Sequence, residues 1–144
     1  MFKTNEEDYK KIEYIALYGR VASGNTEVSN REIAAQKATL VHWAEQQGYS
    51  PEQPVILVDD GFSGLILDRP GIQQFFSGKR NYAMLVAVDF SRFARDVFLI
   101  DRLVDDAEAQ GTTVYALKEQ TSFNQWKRER DQFFSTLLKG GAGK

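Results

Sequence analysis

The chain of 144 residues has no cysteine, one histidine, three prolines and two methionines. Without cysteine there is no disulfide framework, no thiolate nucleophile and no cysteine metal site. The lone histidine, His42, sits among Leu40, Val41 and Trp43, where packing or surface exposure is its ordinary role, and zinc is left without its usual ligands. An excess of positive charge is also lacking: the formal charge is -2 and the pI about 5.5. This argues against a free-standing module that grips nucleic acid by bulk charge; any such grip would need another domain or a local cationic patch. No apolar run reaches membrane length, and the polar first ten residues carry no secretory core. The expectation is a cytoplasmic chain with no membrane partner and no zinc site.

What is present suffices for a core. The 42% hydrophobic and 26% charged fractions suit one ordinary domain, since domains commonly run to roughly 100–150 residues. Residues 1–11 read as a flexible lead-in, 12–121 as the main domain, and 122–144 as a terminal helix and tail. Tyr14 to Tyr18 is an apolar run that reads as a buried strand breaking at Gly19 into a loop. Ser29 and Glu32 have the spacing of a capping box. Ile33, Leu40, Val41 and Ala44 then share a helical face that Gly48 terminates. Val55 to Val58 reads as a central strand. Asp68 is placed to cap a short helix, with Pro70 in its first turn and Gly78 beyond its end. Tyr82 to Val88 is a third strand. Ile100, Leu103, Val104 and Ala107 mark a helix stopped by Gly111, and Thr113 to Leu117 is a fourth strand. The class is α/β: a mainly parallel sheet of about four strands with helices on both faces, plus a C-terminal amphipathic helix over 122–139. Its stripe of Phe123, Trp126, Phe134 and Leu137 is too apolar to be left to solvent.

Open parallel sheets bind ligands beyond the carboxyl ends of their strands. There the sequence puts Arg20, Ala22 and Ser23 after the first strand. Asp59, Asp60, Ser63 and Arg69 follow the second, and Asp89, Ser91, Arg92 and Arg95 the third. Arginine forks match phosphate oxygens, so Arg20, Arg69, Arg92 and Arg95 at one rim call for an anion, unless they pair with nearby aspartates. Gln36 points along the buried face of its helix and needs hydrogen-bond partners. Either it bonds a neighbouring backbone or it orders the Ser23 loop.

Taken together, Tyr18-Gly19-Arg20-Val21, Gln36, Asp60-Gly61-Phe62-Ser63-Gly64, Arg69-Pro70-Gly71 and Ser91 through Asp96 resemble the catalytic domain of the serine recombinases, the resolvase/invertase family. The likeness runs from residue 14 to about 120. It implies a resolvase-like fold and metal-free cleavage of DNA through a 5′-phosphoserine link. It also implies a dimer or tetramer, with the helix corresponding to 122–139 at the dimer interface. By the resemblance, the four arginines clamp the phosphate, Asp60 orients an arginine or the serine loop, and Gln36 supports the loop. Tyr18, Ser63, Asp89 and Ser91 stand in support. Two positions depart from the pattern. The nucleophile directly follows the Arg-Val pair in the family, and here that place holds Ala22, which has no hydroxyl: either the site is disabled or Ser23, one step on, substitutes. The acid expected directly before Arg92 is Ser91, with Asp89 two positions earlier. Two other classes compete. One is a magnesium-dependent phosphoryl-transfer or receiver-like domain using Asp59, Asp60 and Asp89 with Lys118; the other is a non-enzymatic oligomerisation module. The recombinase reading expects Ala22, Ser23, Asp60, Arg69, Arg92 and Arg95 around one solvent-accessible pocket.

Overall fold

Residues Tyr14–Val21 form β1, an interior strand with a neighbour on each side. The structure is a computed structural model describing residues 12–24 and 26–142; the expected lead-in over 1–11 lies outside it. Side chains of a strand alternate between faces. Ile15 and Leu17 therefore enter one core with Leu40, Ala44 and Val86, while Ala16 and Tyr18 enter the other with Leu57, Phe75 and Leu85. Both faces being apolar, helices cover both. Helix α1 (Glu27–Gln46) covers the first face. The opposite face carries α2 (Pro70–Phe75), α3 (Val97–Ala109) and the start of α4 (Phe123–Ala142).

The other strands are β2 (Pro54–Asp60), β3 (Tyr82–Ala87), β4 (Thr113–Ala116) and β5 (Thr121–Ser122), in the spatial order β2-β1-β3-β4-β5. All neighbours run parallel except β4 and β5. The chain moves from β1 outward to β2, then crosses to β3 on the other side of β1. The carboxyl ends of β1 and β3 thus flank the switch point, where an open α/β sheet leaves a crevice.

Several expectations are corrected. The first strand does not break at Gly19 but runs on to Val21, registered against Asp60 of β2. The second strand is an edge rather than a central strand, which suits Pro54 at its start because a proline offers no ladder donor. The capping box is one turn earlier than expected: Thr26 is the cap, and Thr26 and Ser29 satisfy each other's backbone N–H. Asp68 does not cap α2; its carboxylate instead accepts from the Gln73 side chain, and Arg69 is the flanking residue. The fifth strand, two residues long, was not expected. Gly48 and Gly111, each at φ 85°, end α1 and α3 in the left-handed conformation that side chains oppose.

The terminal helix divides in two. Phe123 is fully buried and Trp126 packs beside it, with Phe90 against both at ring distances of 5.3 and 5.7 Å. Phe133, Phe134, Leu137 and Leu138 are exposed, Leu138 at 73%. An apolar groove of about 440 Å³ also stays open between α2 and α3, floored by Ile72, Phe76 and Leu103.

Candidate active site

Past Leu17, β1 runs on without β3 beside it, so its backbone on that side needs another partner. Gln36, buried on α1, supplies one. Its Oε1 accepts from the Arg20 N–H and its Nε2 donates to the Arg20 carbonyl, both at 3.1 Å. A Cβ at residue 19 would stand 3.2 Å from that Oε1, so Gly19 is what lets the amide approach. Of the two roles open to Gln36, the bonds are to backbone, at the strand end that leads into the Ser23 loop. Gln36→Ala is expected to cost about 1–3 kcal/mol in urea unfolding, because it leaves a buried N–H without a partner. No measurable loss would show that water replaces the amide.

Arg20 shares the Tyr18 face of β1 and is buried. Its guanidinium donates to three carbonyls: Arg92 (2.9 Å), Phe62 (3.0 Å) and Ser91 (2.8 Å). Arg92 returns the bond, Nη1 to the Arg20 carbonyl at 3.1 Å. Burial, then the charge of Arg69, lowers the Arg20 pKa from its ordinary value; Arg95 and Arg92 add to the effect. A Cβ on residue 64 would fall 2.6 Å from Arg95 Cγ and 2.9 Å from Arg20 Nη2. Gly64 is therefore the floor on which the two arginine chains lie.

Arg69 is placed otherwise than the sequence suggested. It is 0% exposed, as is Asp59, and the two form an ion pair at 3.6 Å, too long for a hydrogen bond. Arg69 also donates to the Ser63 and Phe93 carbonyls and lies 5.5 Å from the centre of the Tyr18 ring. Asp59 accepts from the Tyr18 hydroxyl at 2.6 Å and from the Gly71 N–H at 2.7 Å. Burial, with the Asp59 bond adding to it, pushes the Tyr18 hydroxyl well above its ordinary pKa and keeps it a neutral donor. These three residues form a closed network behind the strand ends. Asp59, expected at the rim, is inside it, on the same strand face as Leu57.

What opens to solvent is a polar basin of about 400 Å³ lined by Arg20, Ala22, Ser23, Arg92 and Arg95, with Thr26, Ser29 and Glu32 from the start of α1. Ala22 and Ser23 are exposed on the loop after β1. Arg92 is half-buried and lies 3.7 Å from Asp89, whose carboxylate also accepts from the Ser91 hydroxyl. The positive N-terminal end of α1 adds to the attraction for an anion; Glu32 opposes it. Arg69 and Asp60 are not in the lining, contrary to the single-pocket expectation. Asp60 is half-buried, and among the described residues its Oδ1 has no partner. Ser63 is exposed, and its hydroxyl accepts from the Leu65 N–H. Thr26, Val28, Ser29 and Glu32 were missed as lining residues, and only the position of the cap could have pointed to them. Among the described residues no group of three or more His, Asp or Glu side chains is arranged to hold a metal ion, and no helix is long and apolar enough to cross a membrane.

Known proteins agree with this architecture. The family model "Resolvase, N terminal domain" matches residues 15–142. The N-terminal catalytic domain of TP901-1 integrase superposes with a TM-score of 0.68 at 22% identity, covering 83% of this chain and 99% of that one. A resolvase family site-specific recombinase from Streptococcus pneumoniae gives 0.64 at 19%, covering 92% and 97%. A serine recombinase from Sulfolobus solfataricus gives 0.55 at 19%, covering 89% and 86%. No curated protein sequence matches this one closely. At these identities the solved structures speak for the fold; the family match, running from β1 through α4, speaks for kinship, and the chain belongs to the resolvase N-terminal domain family, the catalytic domains of the serine recombinases.

Proposed function

We propose that this chain is the strand-cleaving domain of a site-specific DNA recombinase in which the nucleophile's place is taken by Ala22. The observation that carries the reading is the basin itself: exposed Ala22 and Ser23 face Arg92 and Arg95, with Arg20 beneath. In the reaction a serine Oγ attacks a DNA phosphorus, the 3′-oxygen leaves as a hydroxyl, and the 5′-phosphate stays on the enzyme until the reverse attack rejoins the strand. Arg92 and Arg95 stabilise charge on the phosphoryl oxygens. Arg20, each of whose guanidinium nitrogens holds a loop carbonyl, lends its charge from beneath and keeps the loops together. Arg69 acts indirectly, through the position of Asp59 and the loop at Ser63. The Ala22 side chain has no oxygen, and the Ser23 hydroxyl one residue on differs in reach and direction, so on this reading the chain as it stands does not cleave. Supercoiled-plasmid cleavage by this chain joined to a DNA-binding region, with residue 22 as alanine and as serine, tests the reading. The magnesium-dependent alternative is disfavoured by Asp59, whose oxygens are already engaged by Tyr18, Gly71 and Arg69.

Association goes through the distal half of α4. Phe133 and Phe134 lie one turn before Leu137 and Leu138, on one exposed apolar face. A second copy covers that face. Phe134→Glu with Leu137→Glu is expected to give a monomer in sedimentation at concentrations where the unaltered chain is a dimer. A monomer in both cases would remove the interface from the account.

A further inference from the structure

The turn that carries Arg92 has an anchor far away in sequence. Phe90–Arg92 is a single 3₁₀ turn, and its flanking residue Asp89 does not cap it. The Asp89 carboxylate faces the Ser91 hydroxyl and the Arg92 guanidinium instead. The Phe90 N–H, an orphan donor at the start of such a turn, donates to Glu119 Oε1 at 2.9 Å.

Glu119 stands in the loop joining β4 to β5, and that loop is fixed at both ends. The Leu117 and Lys118 N–H groups donate to the Ala87 and Val88 carbonyls, which zips the loop to the end of β3. Gln120 closes it with φ 56° and its N–H on the Ala116 carbonyl. A residue with a side chain holds that conformation only where its surroundings enforce it. The Phe90 ring is held in turn by Phe123 and Trp126, so the segment after β4 grips the turn by both its backbone and its ring.

We propose that Glu119 is a positioning residue for Arg92, its bond to the Phe90 N–H setting the angle at which the turn presents the guanidinium to the basin. The Ser91 and Arg92 carbonyls hold the Arg20 guanidinium, and Arg92 bonds back to the Arg20 carbonyl. A rotation of the turn therefore moves both arginines. The effect on anion binding rests on the basin being a phosphodiester site; the effect on geometry does not.

The test compares Glu119→Gln, Glu119→Asp and Glu119→Ala, read at the Nε–Hε NMR cross-peaks of Arg20 and Arg92 in the ligand-free protein and by titration with inorganic phosphate. Glutamine keeps the reach and an accepting oxygen, so its cross-peaks should match the unaltered protein. Aspartate keeps the charge but is one methylene short, so it should behave like alanine, with both cross-peaks displaced. Phosphate affinity should fall about fivefold in the aspartate and alanine variants, the size of one net hydrogen bond, and hold in the glutamine variant. Cross-peaks unchanged in all three variants overturn the proposal. So does the reverse order, aspartate native-like and glutamine displaced, which would make Glu119 a surface charge. If the unaltered protein binds no phosphate, the basin reading fails while the cross-peaks still decide the role of Glu119.

Discussion

Ala22→Ser, in this chain joined to a DNA-binding region, is expected to turn an undetectable covalent DNA adduct into a readily detected one on a denaturing gel. In-line attack requires an oxygen within roughly 3–3.5 Å of the phosphorus, and a displacement of about 1 Å can cost on the order of 10²-fold. Residue 22 directly follows Val21, the buried last residue of β1, and is exposed on the basin. The substitution adds the missing oxygen at the family's position without disturbing the core. Ser23 lines the same basin one residue further along a loop whose Gly24 lies against Gly61. Its reach and direction differ from those of residue 22, so Ser23→Ala in the original chain should change nothing. An adduct from the original chain that Ser23→Ala abolishes would make Ser23 the nucleophile and end the disabled-site account.

Asp59→Ala is expected to be the most damaging single change to stability. It leaves Arg69 as a charge with no exposed surface and no counter-ion, and takes the acceptor from the Tyr18 hydroxyl and the Gly71 N–H. Breaking one side of a buried pair costs about 3–5 kcal/mol, which for a domain of this size lowers the melting temperature by roughly 10 °C or more. Urea unfolding followed by circular dichroism measures the loss. A loss under about 1 kcal/mol would mean that water enters and solvates Arg69.

How much of this was legible in the sequence depended on whether the signal was local. The parallel strands were visible because each is a short apolar run between turn residues, and the ends of α1 and α3 because glycine is the natural residue in the left-handed position. The placement of Arg20 and Asp59 was legible too, had the strand alternation been carried past the first charged residue. Tyr18 and Arg20 share parity, as do Leu57 and Asp59, and all four are buried. Arg69 offered no such clue. It sits where a loop enters α2, and its burial depends on Asp59, Ser63 and Phe93 meeting around it. The two-residue β5 has no period to detect, and without it the turn that carries Glu119 could not be placed. The apolar stripe of α4 looks uniform along its length. That Phe123 is covered and Leu138 is not is a matter of where the rest of the domain ends.

The central claim is that the basin at the ends of β1 and β3 receives a phosphodiester. Its most direct test is a titration of this chain with a dinucleoside monophosphate, followed at the backbone amides and the arginine Nε–Hε cross-peaks. The account predicts saturable shifts at residues 22 and 23, Arg92 and Arg95, with Arg69 unmoved because it has no surface to offer. Shifts concentrated in the groove at Ile72 and Phe76 or along the distal half of α4, or none at any arginine, would contradict it.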